Sequence, residues 1–245
     1  MDNIPVRRLC FVHVGKTGGT YLSKGLRMLA RQSGIDMEFF SHKRSISYVF
    51  ANEPDMSAVF GIRDPLEIFV SGFYSRQRKG APRYNVEWSD EEKEAFARFS
   101  TPNELAEAIS SEDSETRLAA TRAMDSIGHV KKNLHGYLKG PAFLENNKDR
   151  IFFIFNQQTL DEDIRRYYSL FGRKVPQKLV GNEDLKHKNP DNLDRRLSDV
   201  AIKNLREHYK KDMQIYRKCL NIRREILKKI EENSDAYAAS VAKVV

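Results

Sequence analysis

A glycine-rich turn between an apolar run and a helical segment constrains the fold of this chain more than any other feature. Residues 9–20 read LCFVHVGKTGGT, so a strand-like apolar run ends in a turn that carries one lysine and two threonines. Backbone N–H groups at such a turn, with the positive end of a helix behind them, form a site for a phosphate or sulfate group. The segment therefore predicts a strand–turn–helix unit of an α/β fold with an anion site at the turn.

The turn does not match the phosphate-binding loop of nucleoside triphosphatases. The tripeptide GKT at residues 15–17 matches the end of that motif, but the motif also requires a glycine five residues before its GK pair, where this chain has Cys10. The glycines here follow the lysine instead, as Gly18 and Gly19. The strict nucleoside-triphosphate interpretation therefore fails.

A second strand–turn–helix unit follows further along the chain. The apolar run 57–62 is a candidate strand, Asp64 suits a helix N-cap, and Pro65 suits the first helical position. Glu67 occupies the reciprocal position of a capping box. We therefore expect a helix from Pro65 to about residue 76.

Arg63 and Ser71 lie on either side of this second turn. Ser71 follows Asp64 by seven residues, close to two helical turns, so we expect its hydroxyl on the same side of the helix as the cap. A guanidinium and a hydroxyl that converge there suit a phosphate monoester. Two anion sites on two such turns imply a ligand with two separated anionic groups.

The two motifs together resemble those of a known enzyme family. KTGGT after an apolar strand, followed by RDPxxxxxSxFYxR, resembles the sulfotransferases that use 3′-phosphoadenosine 5′-phosphosulfate (PAPS), and looks closest to the carbohydrate branch that includes heparan sulfate 2-O-sulfotransferase. In that family the first loop holds the 5′-phosphosulfate, and the arginine–serine pair holds the 3′-phosphate. The resemblance implies a phosphosulfate site made of Lys16, Thr17, Gly18, Gly19, Thr20 and Tyr21. It assigns Arg63 and Ser71 to the 3′-phosphate, and Tyr74 and Arg76 continue the pattern.

The resemblance also implies a reaction. A sulfuryl group would pass from PAPS to an acceptor hydroxyl, most often on a carbohydrate in this branch, by in-line displacement that releases adenosine 3′,5′-bisphosphate. Lys16 and the loop amides would stabilise the charge on the leaving phosphate. A metal is not required, because a sulfuryl group carries less charge than a phosphoryl group. The family branch and the lack of an anchor near the first strand lead us to expect a bacterial-type cytoplasmic enzyme.

His42 is the predicted general base. It follows the candidate strand 37–40, and the 2-O-sulfotransferase-like branch places a histidine base in the corresponding segment. Imidazole has an unperturbed pKa of about 6.5 and accepts a proton near neutrality. Glu38 is the alternative, since other branches use a glutamate, and strand alternation places it on the same side as His42. His13, inside the first strand, is interpreted as a core histidine.

Two further basic segments are candidates for ligand contacts. The polar loop at 186–188 corresponds to a segment that closes over the nucleotide in family members, and Lys188 is the predicted contact to the 3′-phosphate. Arg78, Lys79 and Arg83 follow the second motif and would reach an acidic acceptor. For any single residue at 186–188 a solvated basic loop is the favoured interpretation. Ordinary surface exposure explains Arg78, Lys79 and Arg83 equally well.

The whole chain predicts one α/β domain. A central, mainly parallel sheet with helices on both faces gives a three-layer, P-loop-like architecture. We expect this domain at residues 1–232, with a helical insertion at about 89–140 and a long amphipathic helical stretch at 197–232.

The helix after the glycine-rich turn is expected to end at Gly34, and capping boxes at Ser89 and Thr101 start two short helices inside the insertion. Residues 115–139 are expected to form a further helical stretch. The segment 150–155 is the clearest later strand, and the tail 233–245 is expected to fray.

Composition narrows the classes of function. The formal net charge of +8 suits an anionic ligand or acceptor. Cys10 and Cys219 are far apart in sequence and form no metal-binding or disulfide pattern, and Cys10 is expected in the core. No N-terminal apolar segment is long enough for a signal peptide or a membrane span.

Other classes of function remain as alternatives. A P-loop kinase would need Mg²⁺ and a carboxylate to hold it, for which Asp64 is better explained as a helix cap. A non-catalytic basic module would bind nucleic acid or a sulfated polymer independently of both motifs, and its binding would survive Lys16→Ala. A degenerate sulfotransferase would bind the nucleotide without turnover, although Lys16, Arg63 and Ser71 are all present.

Overall fold

The computed structural model describes residues 8–82, 84–180 and 193–239. The strands are β1 (Arg8–Val12), β2 (Met37–Phe40), β3 (Met56–Ile62) and β4 (Ile151–Asn156). The earlier helices are α1 (Gly19–Ser33), α2 (Ile46–Asn52), α3 (Pro65–Gln77), α4 (Asp90–Arg98), α5 (Pro102–Ala108), α6 (Ser114–Ser126) and α7 (Leu134–Leu138). The later helices are α8 (Pro141–Asn146), α9 (Leu160–Ser169), α10 (Gln177–Val180), α11 (Asp199–His208), α12 (Lys210–Glu232) and α13 (Ser234–Ala239).

The chain divides into two compact units. The sheet unit comprises Met1–Arg63, Leu134–His187 and Gln214–Val245, and the helical unit comprises Asp64–Asn133 and Lys188–Met213. Every strand of the described chain belongs to the sheet unit. The boundary between Arg63 and Asp64 falls inside the second sequence motif.

The sheet unit is built on a parallel sheet. Among the described residues it has four strands in the order β2-β1-β3-β4, and every neighbouring pair runs parallel. Val12 pairs with Phe40 on one side and with Phe60 on the other, so the chain leaves β1 between the ends of β2 and β3. The predicted α/β class with a parallel sheet is confirmed, and each predicted strand appears at its place.

Helix α1 follows the glycine-rich turn and packs on this sheet. Leu22, Leu26 and Leu29 repeat at helical spacing and are almost completely buried. The helix ends at Gly34, which has a left-handed backbone with φ of 65°. This geometry is typical of a glycine that terminates a helix and confirms the predicted end.

The helical unit has its own apolar core, formed by residues from α3, α4, α5, α6 and α11. The predicted starts of α4 and α5 are confirmed, because Ser89 and Thr101 each form a complete capping box with a glutamate three residues later. The segment predicted as one helical stretch at 115–139 is instead interrupted between α6 and α7. The predicted insertion at 89–140 lies largely in this unit, which also includes α3 and α11.

The segment after α12 is ordered as far as it is described. Ser234–Ala239 forms a helix, and the Tyr237 ring stacks on Phe152 with ring centroids 5.0 Å apart. The Tyr237 hydroxyl also donates a hydrogen bond to the Phe152 carbonyl. The predicted fraying from residue 233 therefore does not apply to this helix.

None of the described helices combines the length and the apolar character that crossing a membrane requires.

Candidate functional site

The glycine-rich turn joins β1 to α1 through a tight backbone path. Lys16 and Gly18 both have positive φ, of 63° and 82°, and Gly18 is the N-cap of α1. The left-handed backbone favours glycine at this position, and a Cβ on Gly18 would also displace the end of the Leu160 side chain, which lies 2.8 Å from it. The turn therefore presents the first amides of α1, which have no acceptor within a helix, beside a lysine.

Thr17 turns its side chain away from the turn's open side. Its hydroxyl donates to the Val14 carbonyl at 2.9 Å, and the residue is fully buried. It lies against Gly61 of β3, where a Cβ would come within 2.9 Å of the Thr17 hydroxyl oxygen. Thr17 can therefore serve a bound anion only through its backbone, and Gly61 is what lets the turn lie this close to the sheet.

Tyr137 of α7 supports the turn from another side. The Gly15 amide donates a hydrogen bond to its hydroxyl oxygen. Burial raises the pKa of Tyr137, and the bond from Gly15 opposes that rise. A Cβ on Gly15 would lie 2.9 Å from the same oxygen. Tyr137 was not among the sequence candidates, and nothing in its local sequence marks it.

Arg63 lies at the same turn. It follows β3 directly, and its Nη1 atom is 3.5 Å from the Lys16 carbonyl oxygen. The structure thus brings together Lys16 and Arg63, which the sequence analysis placed in two separate motifs. Ser71, the other predicted 3′-phosphate residue, belongs to α3 of the helical unit, where it is buried.

His13 and His42 form a pair at this end of the sheet. Their ring centroids are 5.1 Å apart, and the rings meet edge to face at 83°. The His13 ring also lies over Gly19, where a Cβ would be only 2.2 Å from the ring Nε2. His13 is half-buried and next to α1, so its interpretation as a core histidine was wrong. Its place at the end of β1 was the signal that could have identified it.

Glu38, the alternative base, is held elsewhere. Its carboxylate lies 3.5 Å from the Nη2 atom of Arg8, which begins β1. The glycine-rich turn follows the other end of β1, where His42 is found. The ion pair therefore turns the Glu38 carboxylate toward the start of β1, although Glu38 and His42 come from the same strand and the segment that follows it.

Tyr21 and Thr20 occupy the first turn of α1. The Tyr21 side chain is buried, and its hydroxyl donates to Asp161 at 3.3 Å. Tyr21 could thus contact a bound anion through its amide alone. Thr20 is only half-buried, so part of this residue is open to solvent beside the turn.

The remaining pattern residues have structural roles within the helical unit. The Tyr74 hydroxyl donates to the Asp194 carbonyl. The Arg76 guanidinium is buried and pairs with the Glu92 carboxylate. Lys79 forms an ion pair of 2.6 Å with Glu87. The predicted contacts Lys188 and Arg83, with Lys186 and His187, lie outside the described residues.

Within the described ranges no cluster of three or more histidine, cysteine, aspartate or glutamate side chains has metal-binding geometry. Cys10 and Cys219 are free thiols in the core. Burial raises the pKa of Cys10 to about 12, so its thiol stays protonated at neutral pH.

A scan against protein-family models found no matching family, and searches of curated proteins and of solved structures found no significantly similar protein. The chemistry of the site is therefore inferred from its own residues.

Proposed function

We propose that this chain is a PAPS-dependent sulfotransferase that moves a sulfuryl group to an acceptor hydroxyl. We further propose that this hydroxyl belongs to a carbohydrate. The observation that carries the proposal is the convergence of three elements within the sheet unit. The glycine-rich turn, the Arg63 guanidinium and the His13–His42 pair all lie where β1, β2 and β3 end. Ligands of parallel α/β sheets bind at these carboxyl ends.

The turn would hold the phosphosulfate of PAPS. The first amides of α1 and the cationic Lys16 and Arg63 supply hydrogen bonds and positive charge to an anionic group. Charge builds on the bridging oxygen as the sulfur–oxygen bond breaks, and a fixed cation lowers that barrier. We assign this role to Lys16, while the Arg63 bond to the Lys16 carbonyl holds a second cation beside it.

His42 would remove the proton of the acceptor hydroxyl. Its imidazole is exposed at the end of β2, near the first turn of α1 through its contact with His13. An exposed base of this kind suits an acceptor that approaches from solvent. The assignment of Ser71 and Lys188 to the 3′-phosphate, and of a three-layer P-loop-like fold, belongs to the same proposal.

A kinase-like nucleoside triphosphatase is less well supported. In the phosphate-binding loop of such enzymes the serine or threonine hydroxyl binds Mg²⁺. The corresponding Thr17 hydroxyl here is buried and donates to the Val14 carbonyl instead. A non-catalytic basic module remains the other alternative.

Calorimetric titration separates these functions. The chain is titrated with adenosine 3′,5′-bisphosphate, and in parallel with ATP in the presence and absence of Mg²⁺. Tight binding of the bisphosphate without Mg²⁺, with weak ATP binding, supports the sulfotransferase. Preference for Mg·ATP would replace it with the kinase, and binding of neither nucleotide would favour the basic module.

Arg63→Ala tests the cation beside the turn. We expect it to weaken adenosine 3′,5′-bisphosphate binding by about 1.5–3 kcal/mol, the usual worth of a charge-assisted hydrogen bond. Calorimetry measures the change. Arg165→Ala, an exposed arginine of α9, is the matched control for lost positive charge. Equal affinities of the two variants would remove Arg63 from the site.

His42→Ala tests the base. We expect nucleotide binding to be retained and turnover to fall at least ~100-fold, because only proton removal from the acceptor is lost. Transfer of radiolabelled sulfate from PAPS to a panel of polysaccharides measures turnover. His135→Ala removes an exposed histidine of the sheet unit and serves as the control. Full activity of His42→Ala would return the base role to Glu38.

A further inference from the structure

Tyr137 brings a hydroxyl group to the glycine-rich turn from a distant part of the chain. Its oxygen accepts a hydrogen bond from the Gly15 amide and lies 2.9 Å from the place that a Cβ on Gly15 would occupy. We propose that this hydroxyl donates its own proton to the anionic group bound at the turn, so that Tyr137 is a ligand-binding residue. The inference rests on the proposed function, in which that group is the 5′-phosphate of PAPS and of adenosine 3′,5′-bisphosphate.

The hydroxyl has a proton to donate. A phenol oxygen accepts hydrogen bonds and also carries one proton that it can donate. The bond from Gly15 uses only the accepting capacity of the oxygen, and none of the described residues accepts a hydrogen bond from the Tyr137 hydroxyl. Tyr137 is 7% exposed, and buried donors are nearly always paired because an unpaired one costs free energy. An oxygen of a bound phosphate would be such an acceptor.

The position of the hydroxyl suits an anion. Lys16 directly follows Gly15, and the Arg63 guanidinium lies 3.5 Å from the Lys16 carbonyl oxygen. A hydroxyl that accepts a bond from an amide is polarised and becomes a better donor itself. Burial raises the pKa of Tyr137 above its ordinary value, so the phenol keeps its proton at neutral pH. A neutral donor thus adds a directed hydrogen bond beside the two cations.

The packing of α7 holds this hydroxyl in place. Leu134 and Leu138 lie on either side of Tyr137 in this helix, and they are 1% and 0% exposed. The Tyr137 ring is therefore anchored in the core, with its hydroxyl against Gly15. A donor that is already fixed loses little freedom when a ligand binds. Gly15 has no side chain to displace it, whereas an alanine there would push against the oxygen.

Two substitutions test the donor. Tyr137→Phe removes the hydroxyl and keeps the ring, and we expect the dissociation constant for adenosine 3′,5′-bisphosphate to rise about 10- to 100-fold, the effect of one hydrogen bond to a charged group. Gly15→Ala keeps the hydroxyl but displaces it, so it should also weaken binding. In a chain that carries Tyr137→Phe, adding Gly15→Ala should cost little more, because the oxygen that the methyl group would meet is absent. Calorimetry measures all three.

Tyr168→Phe is the matched control. The Tyr168 hydroxyl is also buried in the sheet unit, and it donates to the Gly25 carbonyl of α1 at 2.7 Å, away from the turn. We expect this variant to lose stability in chemical denaturation but to bind the bisphosphate with unchanged affinity. Equal losses of affinity in Tyr168→Phe and Tyr137→Phe would overturn the inference, because both would then act through the packing of the fold.

Fluorinated tyrosine separates donation to the ligand from support of the turn. In 3-fluorotyrosine the phenol is a stronger donor and a weaker acceptor, and it stays protonated at pH 6. With this residue at position 137, we expect the bisphosphate to bind at least as tightly as to the wild type. 3-Fluorophenylalanine at the same position, compared with Tyr137→Phe, measures the steric effect of the fluorine. Weaker binding beyond that effect would show that Tyr137 serves only as the acceptor for Gly15, and the inference would fail.

Inorganic pyrophosphate, titrated in parallel, keeps this result distinct from failure of the proposed function. If the wild type binds pyrophosphate but no bisphosphate, the sulfotransferase proposal fails, and the effect of Tyr137→Phe on pyrophosphate binding still decides the role of the hydroxyl. If the bisphosphate binds equally well to the wild type and to Tyr137→Phe, the sulfotransferase stands and the donor is lost. Binding of neither anion by the wild type would overturn both.

Discussion

Replacing Glu92 by glutamine should lower the free energy of unfolding of the helical unit by about 3–5 kcal/mol, the usual cost of breaking a buried ion pair. Glu92 and Arg76 side chains are each only 7% exposed. Glutamine has the shape of glutamate but no charge, so the Arg76 guanidinium would remain buried without its counter-charge. Chemical denaturation at neutral pH, followed by circular dichroism, measures the loss.

The surroundings of the pair explain why the effect should be large. Glu92 also accepts hydrogen bonds from the Gly128 amide at 3.0 Å and from the Ser89 amide at 3.1 Å. The Arg76 guanidinium donates to the carbonyls of Val86 and Glu87, at 3.1 and 3.2 Å. One ion pair therefore joins four segments: α3, residues 86–87, the start of α4 and the segment after α6. Its loss would release four segments of the chain at once.

A double variant and a surface pair provide the controls. Arg76→Met combined with Glu92→Leu removes both charges, so it should cost less than the two single changes together. Asp90→Asn breaks the exposed pair with Lys93 on α4 and should leave stability unchanged. A Glu92→Gln variant as stable as the wild type would show that the pair contributes nothing to folding.

The same carboxylate should make the unit sensitive to acid. Burial alone would raise the pKa of Glu92, but hydrogen bonds from Arg76, Gly128 and Ser89 outweigh it and lower the pKa from 4.5 to about 2. A carboxylate with a lowered pKa stabilises the fold above its unfolded pKa, and this contribution is lost as the pH falls. The contribution of Glu92 should thus be complete near pH 6 and decline between about pH 5 and 2. Glu92→Gln should flatten this part of the stability profile.

Lys16→Met should lower turnover of the proposed sulfotransferase by about 100- to 1000-fold, the effect typical of removing one group that stabilises transition-state charge. Methionine keeps the length of the side chain and removes only the ammonium group. Binding of adenosine 3′,5′-bisphosphate should fall less, because the loop amides and Arg63 remain. Radiolabelled sulfate transfer and calorimetry measure the two effects.

Lys24→Met is the matched control for Lys16→Met. Lys24 is exposed on α1, so the variant has the same net charge and the same new side chain away from the turn. It should retain wild-type turnover. Equal turnover of the two variants would exclude Lys16 from the chemistry.

Local signals made most of the fold predictable. The strands β1, β3 and β4 were predicted from apolar runs, because parallel strands that are buried on both faces need apolar residues on both faces. Several helix starts were predicted from side chains that accept hydrogen bonds from free backbone amides. Asp64, Ser89 and Thr101 all act as the predicted caps. Each of these signals lies within a few neighbouring residues, so it can be recognised without knowledge of the tertiary structure.

Contacts between distant segments explain what was missed. The helix α2 has a Ser45 cap, which accepts from the Tyr48 amide, but no capping box. Its end is held by the Arg150 guanidinium, which donates to the carbonyls of Phe50, Glu53 and Met56. The break after α6 coincides with close packing on α3, where a Cβ on Gly72 would lie 2.7 Å from the His129 carbonyl oxygen. Neither interaction is visible in the residues near these helices.

The candidate site divides in the same way. The turn, Arg63 and His42 were identified because each follows an apolar strand within a recognisable pattern. The roles of His13, Tyr137 and Gly61 depend on which strands are neighbours and on how closely the turn lies against β3. Sheet order is a tertiary property, so a pattern along one strand could not predict these contacts.

The contact between Tyr237 and Phe152 has a consequence for how this chain behaves in solution. Among the described strands β4 lies at an edge of the sheet, and its first five residues, IFFIF, combine β-branched and aromatic side chains without charge. Exposed edges of this composition template the stacking of strands from other molecules and lead to aggregation. Because Tyr237 of α13 bonds to the Phe152 carbonyl and stacks on its ring, we expect α13 to limit self-association through this strand. We therefore expect removal of that short helix to impair solubility before it affects any step of the proposed reaction.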